Sequence, residues 1–406
     1  MKAPDYNNGT MDKKQKAVIK AANDLNPAVM YRDFEDVGYY IGNTGKLFLS
    51  PVKRIKNVYP LIYDTQNLIH SQYTAQKGKK QRGEVQAFND DLSGNMAILY
   101  DILRDETYEP GKYREKIIYE PKERLIMIAP FFPDRIIHHC VINVLAPHWY
   151  HIFIANTYAC IKGRGIHKCM EDVHTDLVRD KAGTRYCLKI DIRKFYDNVD
   201  HAVLKRILRI SIADASLLRL LDKIIDSNGK EKGLPIGNFT SQYLANLYLA
   251  YFDHCVKEYL GVEYYYRYMD DIVVLAGSKA RLHYVLDAFA LYLGTELKVE
   301  IKHNWQIFPV DDRGIDFVGF KQNHYGILLR KGILLRFYKK LEETKEKYDI
   351  KSEDDIKHLF PSEYGWIVRC DKEHSEFIFK KCLNYGKVKC FVYRAAGKDR
   401  PEAAGD

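Results

Sequence analysis

Two β-prone runs, residues 264–268 and 272–275, flank the adjacent acids Asp270 and Asp271. Aromatic and β-branched residues favour extended strands, and a short polar interruption between two such runs favours a reversal. A strand pair over about 263–277 is therefore expected, with the two aspartates at or near its turn. Two like charges side by side at the tip of an apolar hairpin are unfavourable unless a cation sits there. A plain polar Asp-Asp turn is the alternative.

A second acid interrupts another apolar run. Residues 185–192 read Arg-Tyr-Cys-Leu-Lys-Ile-Asp-Ile, a strand candidate in which Asp191 stands near the end. Alone, such an Asp is an ordinary cap or turn residue. Paired with the hairpin it gains meaning, because three carboxylates from neighbouring strands would hold two Mg²⁺ ions about 4 Å apart. Such a site suits phosphoryl transfer, which demands positioning and charge neutralisation rather than a protein nucleophile.

At 406 residues the chain is expected to build two or three subdomains around a shared core. A hydrophobic fraction of 46% and a charged fraction of 29% indicate a globular protein rather than a disordered one. No apolar run reaches the roughly 18 residues needed to span a bilayer. The first dozen residues lack the apolar core of a secretory signal, so a cytoplasmic location is expected, with no membrane partner. Eight cysteines without a Cys-x-x-Cys pair read as free thiols in a reducing compartment. A net charge of +9 favours a polyanionic partner without requiring one.

Apolar spacing over 85–103 predicts an amphipathic helix, and 114–129 reads as a hairpin turning at Glu120-Pro121-Lys122. Helices are expected over about 134–150 and from about residue 200. The basic run 77–82 is either a solvated loop or a contact to a phosphate backbone. Strands and helices alternate without a regular βαβ rhythm, so the class is α+β.

Three ordered motifs carry a resemblance to reverse transcriptases. Asp191 is followed by Ile-Arg-Lys-Phe-Tyr, residues 233–242 read Gly-Leu-Pro-Ile-Gly-Asn-Phe-Thr-Ser-Gln, and Tyr268-Met269 precede the two aspartates. The resemblance implies a right-hand polymerase fold and an RNA-directed DNA polymerase. Its layout would be a tail at 1–12, an N-terminal extension and fingers at 13–184, and a palm at 185–325. A short helical thumb would follow at 326–394, then a tail at 395–406. It implies Asp191, Asp270 and Asp271 as catalytic residues, which with the Ile192 carbonyl bind Mg²⁺, Mn²⁺ being a substitute. Lys122 and Arg124 would meet the triphosphate. Tyr196 would be the steric gate that excludes a ribose 2′-hydroxyl, with Ile236 and Gly237 beside the nucleotide. Ser241, Gln242, Tyr268, Met269, Gly319 and Arg336 would face the template and primer. A lysine that protonates pyrophosphate is implied near 297–302, with Lys298 and Lys302 both open.

Within the bacterial enzymes the chain resembles the reverse transcriptase of diversity-generating retroelements, over roughly 59–381. Its most diagnostic stretch is 236–242, where retroviral enzymes have Gln before the glycine and Pro after the serine. The branch implies adenine-mutagenic cDNA from a template-repeat RNA, a DNA or RNA primer, dNTPs, a small basic accessory protein, and a bacterial or phage origin. A group II intron or retron enzyme is the alternative. The intron type would carry a splicing domain and an endonuclease for which the chain is short. A non-catalytic RNA-binding protein that keeps the fold is the third reading.

Overall fold

The computed structural model describes residues 54–119, 123–345 and 347–383. Its strands sort into three sheets. β1 (Arg114–Ile118) pairs antiparallel with β2 (Arg124–Ile128), Ile117 facing Leu125. β3 (Tyr186–Asp191), β4 (Tyr264–Tyr268), β5 (Asp271–Ala276) and β6 (Gln306–Pro309) lie in the order β4-β5-β3-β6. β7 (Ile315–Phe317), β8 (Phe320–Asn323) and β9 (Gly326–Leu329) form an antiparallel meander. Helices separate the strand groups, and the class is α+β as the sequence indicates.

The strand pair around the two aspartates forms as expected, with the turn at Met269 and Asp270 and with Asp271 opening β5. β3 stops at Asp191, one residue short of the expected end. The hairpin at 114–129 also forms, though its predicted turn at 120–122, Lys122 included, lies outside the described residues.

The single helix expected over 85–103 is two, Gly83–Asp90 and Leu92–Arg104. Asp91 breaks it by leaving helical geometry (φ −126°, ψ 66°), and its carboxylate accepts from the Gly94 amide at 3.0 Å. The apolar spacing runs through this break because Val85, Phe88, Leu99 and Leu103 all reach the core. Periodicity reports which face is buried; it is blind to a one-residue cap.

The described residues divide into two compact units. One takes those up to Gly163 together with Ile190–Ile272 and His283–Trp305. Its centre is the helix Phe239–His254, in which only Phe239, Gln242 and His254 escape burial. The other takes Arg164–Lys189, Val273–Leu282 and the residues from Gln306 onward. Its core gathers Met170, Phe320, Phe337, Leu341, Ile356 and Ile378. Each such buried side chain contributes roughly 1.5–3 kcal/mol. No helix among the described residues is long and apolar enough to cross a membrane. The seven described cysteines are free thiols, and burial pushes the thiols of Cys140 and Cys255 up to about 12.

Candidate active site

β3 delivers Asp191 and the β4–β5 turn delivers Asp270, and the backbone joins the two. The Ile192 amide donates to the Asp270 carbonyl at 3.2 Å. On the other side, Lys302 N–H donates to the Asp191 carbonyl and Arg193 N–H to the Glu300 carbonyl, both at 2.8 Å. Ile192 thus faces Ile301 at a position with no mutual hydrogen bonds. In an extended residue N–H and C=O point to the same edge, so the Ile192 carbonyl turns toward Asp270 as its amide does.

The half-buried Asp270 carboxyl is raised above the ordinary carboxylate range, first by burial. The charge of Asp191 raises it further, while its own backbone amide, Arg124 and Lys302 oppose the shift. Lys302 Nζ lies 3.6 Å from the Asp191 carboxylate. Lys298 turns away, with a left-handed backbone (φ 52°) and an ion pair to Asp200 at 3.1 Å.

Asp271 is the next residue along. It opens β5, directly after the turn residue Asp270. Among the described residues no three His, Cys, Asp or Glu side chains converge as a ready metal site. The close pair is Asp191 with Asp270. Two crowded carboxylates and a backbone carbonyl form an all-oxygen donor set, which fits a hard divalent cation.

Tyr196 lies in the short helix Phe195–Asn198 with its hydroxyl 3.8 Å from Met269 Sδ. Its hydroxyl pKa is pushed up by burial, then by Cys160 and Asp270, with Arg124 opposing. The phenol therefore lies within electrostatic reach of Asp270 and of the exposed Arg124.

The loop before the helix Phe239–His254 is tied on two sides. Leu234 N–H donates to the Tyr196 carbonyl at 2.8 Å, and Met127 N–H of β2 donates to the Ile236 carbonyl at 2.8 Å. Gly237 has φ +128°, and a Cβ there would stand 2.5 Å from the Met127 carbonyl oxygen. Only glycine fits this approach. Gly237→Ala is expected to cost about 2–4 kcal/mol locally, from strain and overlap. Amide exchange at Met127 should then accelerate; unchanged exchange would mean the loop absorbs the methyl group.

Ser241 is buried, and its hydroxyl donates to the Pro235 carbonyl at 2.8 Å, so it braces this loop. Gln242 Oε1 accepts from Cys160 Sγ at 3.1 Å. Tyr268 ends β4, half-buried. In the second unit Gly319 (φ +91°) leaves no room for a Cβ beneath the Trp366 ring. Arg336 is exposed on the helix Lys331–Lys345.

The family described as reverse transcriptase (RNA-dependent DNA polymerase) matches residues 120–321, which hold Asp191, the 233–242 loop and the Asp270 turn. These residues are a reverse transcriptase domain. Protein YkfC of Escherichia coli K12 is 24% identical over 285 residues, covering 58% of this chain and 75% of that protein. The group II intron-encoded protein LtrA of Lactococcus lactis is 25% identical over 166 residues, or 38% of this chain. This chain spans 27% of that protein's length. Among solved structures, apo telomerase of Candida tropicalis aligns over 57% of this chain and 53% of its own, with a TM-score of 0.41 and 13% identity. Telomerase of Candida albicans in complex with a fragment of telomeric RNA aligns over 70% and 58%, with a TM-score of 0.43 and 12% identity.

The reverse transcriptase domain also contains residues that motif reading passes over. Arg267 is fully buried in β4 and pairs with fully buried Asp253 of the helix Phe239–His254. Thr157 and Asn246 join them. A signal exists in the sequence: two opposite charges, each inside an otherwise apolar run, need one another.

Proposed function

We propose that the chain copies an RNA template into DNA from a DNA or RNA primer, using dNTPs. The observation that carries this is the Asp191–Asp270 pair at a strand end and a strained turn, with the Tyr196 hydroxyl 3.8 Å from Met269 of that turn. Asp191, Asp270 and the Ile192 carbonyl would hold the divalent cations, Mg²⁺ or Mn²⁺, and Asp271 adds charge to the same hairpin. When bound, the ions supply activation of the primer 3′-hydroxyl and neutralisation of the triphosphate.

The chain's own residues do the rest. Arg124, with Lys122, binds phosphate oxygens through planar and point charges respectively. Lys302, 3.6 Å from Asp191, is better placed than Lys298 to give a proton to pyrophosphate. Tyr196 excludes the 2′-hydroxyl. With this chemistry we propose the division into an N-terminal extension and fingers at 13–184, a palm at 185–325 and a thumb at 326–394. Gln242, Tyr268, Met269, Gly319 and Arg336 serve the template–primer, and Ser241 serves it by holding the loop.

Within this activity we read the chain as the mutagenic enzyme of a diversity-generating retroelement, acting in a bacterial or phage-infected cytoplasm. It would act on a template-repeat RNA with a small basic accessory protein. Ile236 supports the reading, since its branched alkyl group stands beside Gly237 where a hydrogen-bonding amide would otherwise report base-pair geometry. Ile236→Gln is expected to lower errors opposite template adenine about fivefold, for roughly 1 kcal/mol of restored contact. Sequencing of cDNA checks this. The likeness to an intron-encoded protein favours a group II intron enzyme as the second reading. Errors spread evenly over all four template bases would favour it.

Primer extension on an RNA template tests the activity itself, with dNTPs or rNTPs and with Mg²⁺ present or withheld. Synthesis from dNTPs that requires Mg²⁺ is the expected result. No extension under any condition would leave the RNA-binding reading.

A further inference from the structure

We infer that Arg267 and Asp253 are positioning residues that hold the Met269–Asp270 turn in the geometry that binds divalent cations. The inference rests on the polymerase reading only in taking Asp270 as a cation ligand.

The turn is strained. Met269 has φ 55°, a left-handed backbone that a residue with a Cβ adopts at a cost unless its surroundings impose it. The imposing group is Arg267, two residues earlier. Its Nη1 donates to the Met269 carbonyl at 3.0 Å and to Asn246 Oδ1 at 3.2 Å. That carbonyl belongs to the peptide plane that also carries the Asp270 amide, so fixing one fixes the other.

Arg267 is itself fixed on its remaining arms. Nε and Nη2 form a fork with Asp253, at 2.7 and 2.5 Å. Asp253 further accepts from Tyr265 OH at 2.6 Å and from Thr157 Oγ1 at 3.0 Å. Asn246 donates its amide to the Ala159 carbonyl at 2.7 Å. Three pieces of backbone therefore set one guanidinium: β4, the helix Phe239–His254 and the segment 156–159.

A simple stabilising role accounts for this poorly. A buried ion pair returns little net stability compared with apolar residues of the same volume. The fork with Asp253 uses two nitrogens, and the third is spent on a turn carbonyl next to a catalytic carboxylate. Supporting partners of this kind orient metal ligands, and their loss typically weakens metal affinity by about 10–100-fold.

Two variants test it in the full-length protein. Arg267→Lys keeps the charge facing Asp253 but cannot fork and reach Met269 together. Asn246→Ala keeps the ion pair and removes one anchor of Nη1. Mn²⁺ binding is titrated by electron paramagnetic resonance without nucleic acid or nucleotide, per mole of folded protein, alongside template–primer affinity. Mn²⁺ affinity should fall by about tenfold or more in Arg267→Lys and by less in Asn246→Ala. Template–primer affinity should hold in both. Unchanged Mn²⁺ affinity in both variants would overturn the inference, as would a wild-type protein that binds no Mn²⁺. If Arg267→Lys fails to fold, unchanged affinity in Asn246→Ala alone overturns it. A wild-type protein that binds Mn²⁺ yet makes no DNA would sink the polymerase reading while this inference stood.

Discussion

Asp270→Asn is expected to reduce primer extension by at least about a thousandfold, a loss of roughly 4 kcal/mol of transition-state stabilisation. The replacement is isosteric, so the turn and its bond from Ile192 remain, and only the charge goes. The same replacement should leave the fold as stable as before or more so. Asp270 has a folded-state pKa raised by burial and by Asp191, so its ionised form is disfavoured in the native protein. A raised carboxyl pKa means that stability falls as pH rises through the unfolded value toward the folded one. The amide carries no such penalty at neutral pH. Activity collapse with an unchanged or higher unfolding midpoint is therefore the signature of a ligand carboxylate. Asp191→Asn should behave alike in activity. Retention of more than about a tenth of the wild-type rate in Asp270→Asn would remove this carboxylate from the chemistry and the two-metal reading with it.

Much of this site was legible in the sequence because its elements are local. A five-residue run with four β-forming tyrosines, a two-residue turn and another run suffice to place Asp270 at a hairpin, and Asp191 likewise ends its own strand. Legibility failed wherever a residue's meaning lies in a distant partner. Gly237 looks like a flexible loop residue until the Met127 carbonyl, more than a hundred positions earlier, is seen against it. Ser241 gives no sign in the sequence of the Pro235 carbonyl that its hydroxyl reaches. Arg267 and Asp253 each stand out as a charge in an apolar run, but the bond from Arg267 to the Met269 carbonyl is not encoded in that pattern. The second unit draws together 164–189, 273–282 and the residues from 306, a grouping that local pattern does not encode. The surroundings of Lys298 and Lys302 belong to the same class: the spacing treats both alike, while Lys298 pairs with Asp200 and Lys302 lies 3.6 Å from Asp191.

Tyr196→Val should raise incorporation of ribonucleotides relative to deoxyribonucleotides about a hundredfold. The ring is half-buried, with its hydroxyl 3.8 Å from Met269 Sδ and with Asp270 and Arg124 in electrostatic reach. A 2′-hydroxyl entering that space would overpack it, and overpacking of a tight site costs about 1–3 kcal/mol, the upper end being near a hundredfold. Valine removes the ring and the obstacle together. Synthesis from dNTPs should survive within about tenfold, because nothing on the deoxyribose side needs the phenol for charge or proton transfer. Tyr196→Phe separates ring from hydroxyl. The hydroxyl's described contact is a weak one to the Met269 sulfur at 3.8 Å. Phenylalanine should therefore discriminate as well as tyrosine does. If Phe were to admit ribonucleotides as Val does, selection would depend on the hydroxyl and the steric account would be wrong. If neither variant admitted them, the sugar would be read elsewhere, and Tyr196 would be a packing residue of the turn that carries it.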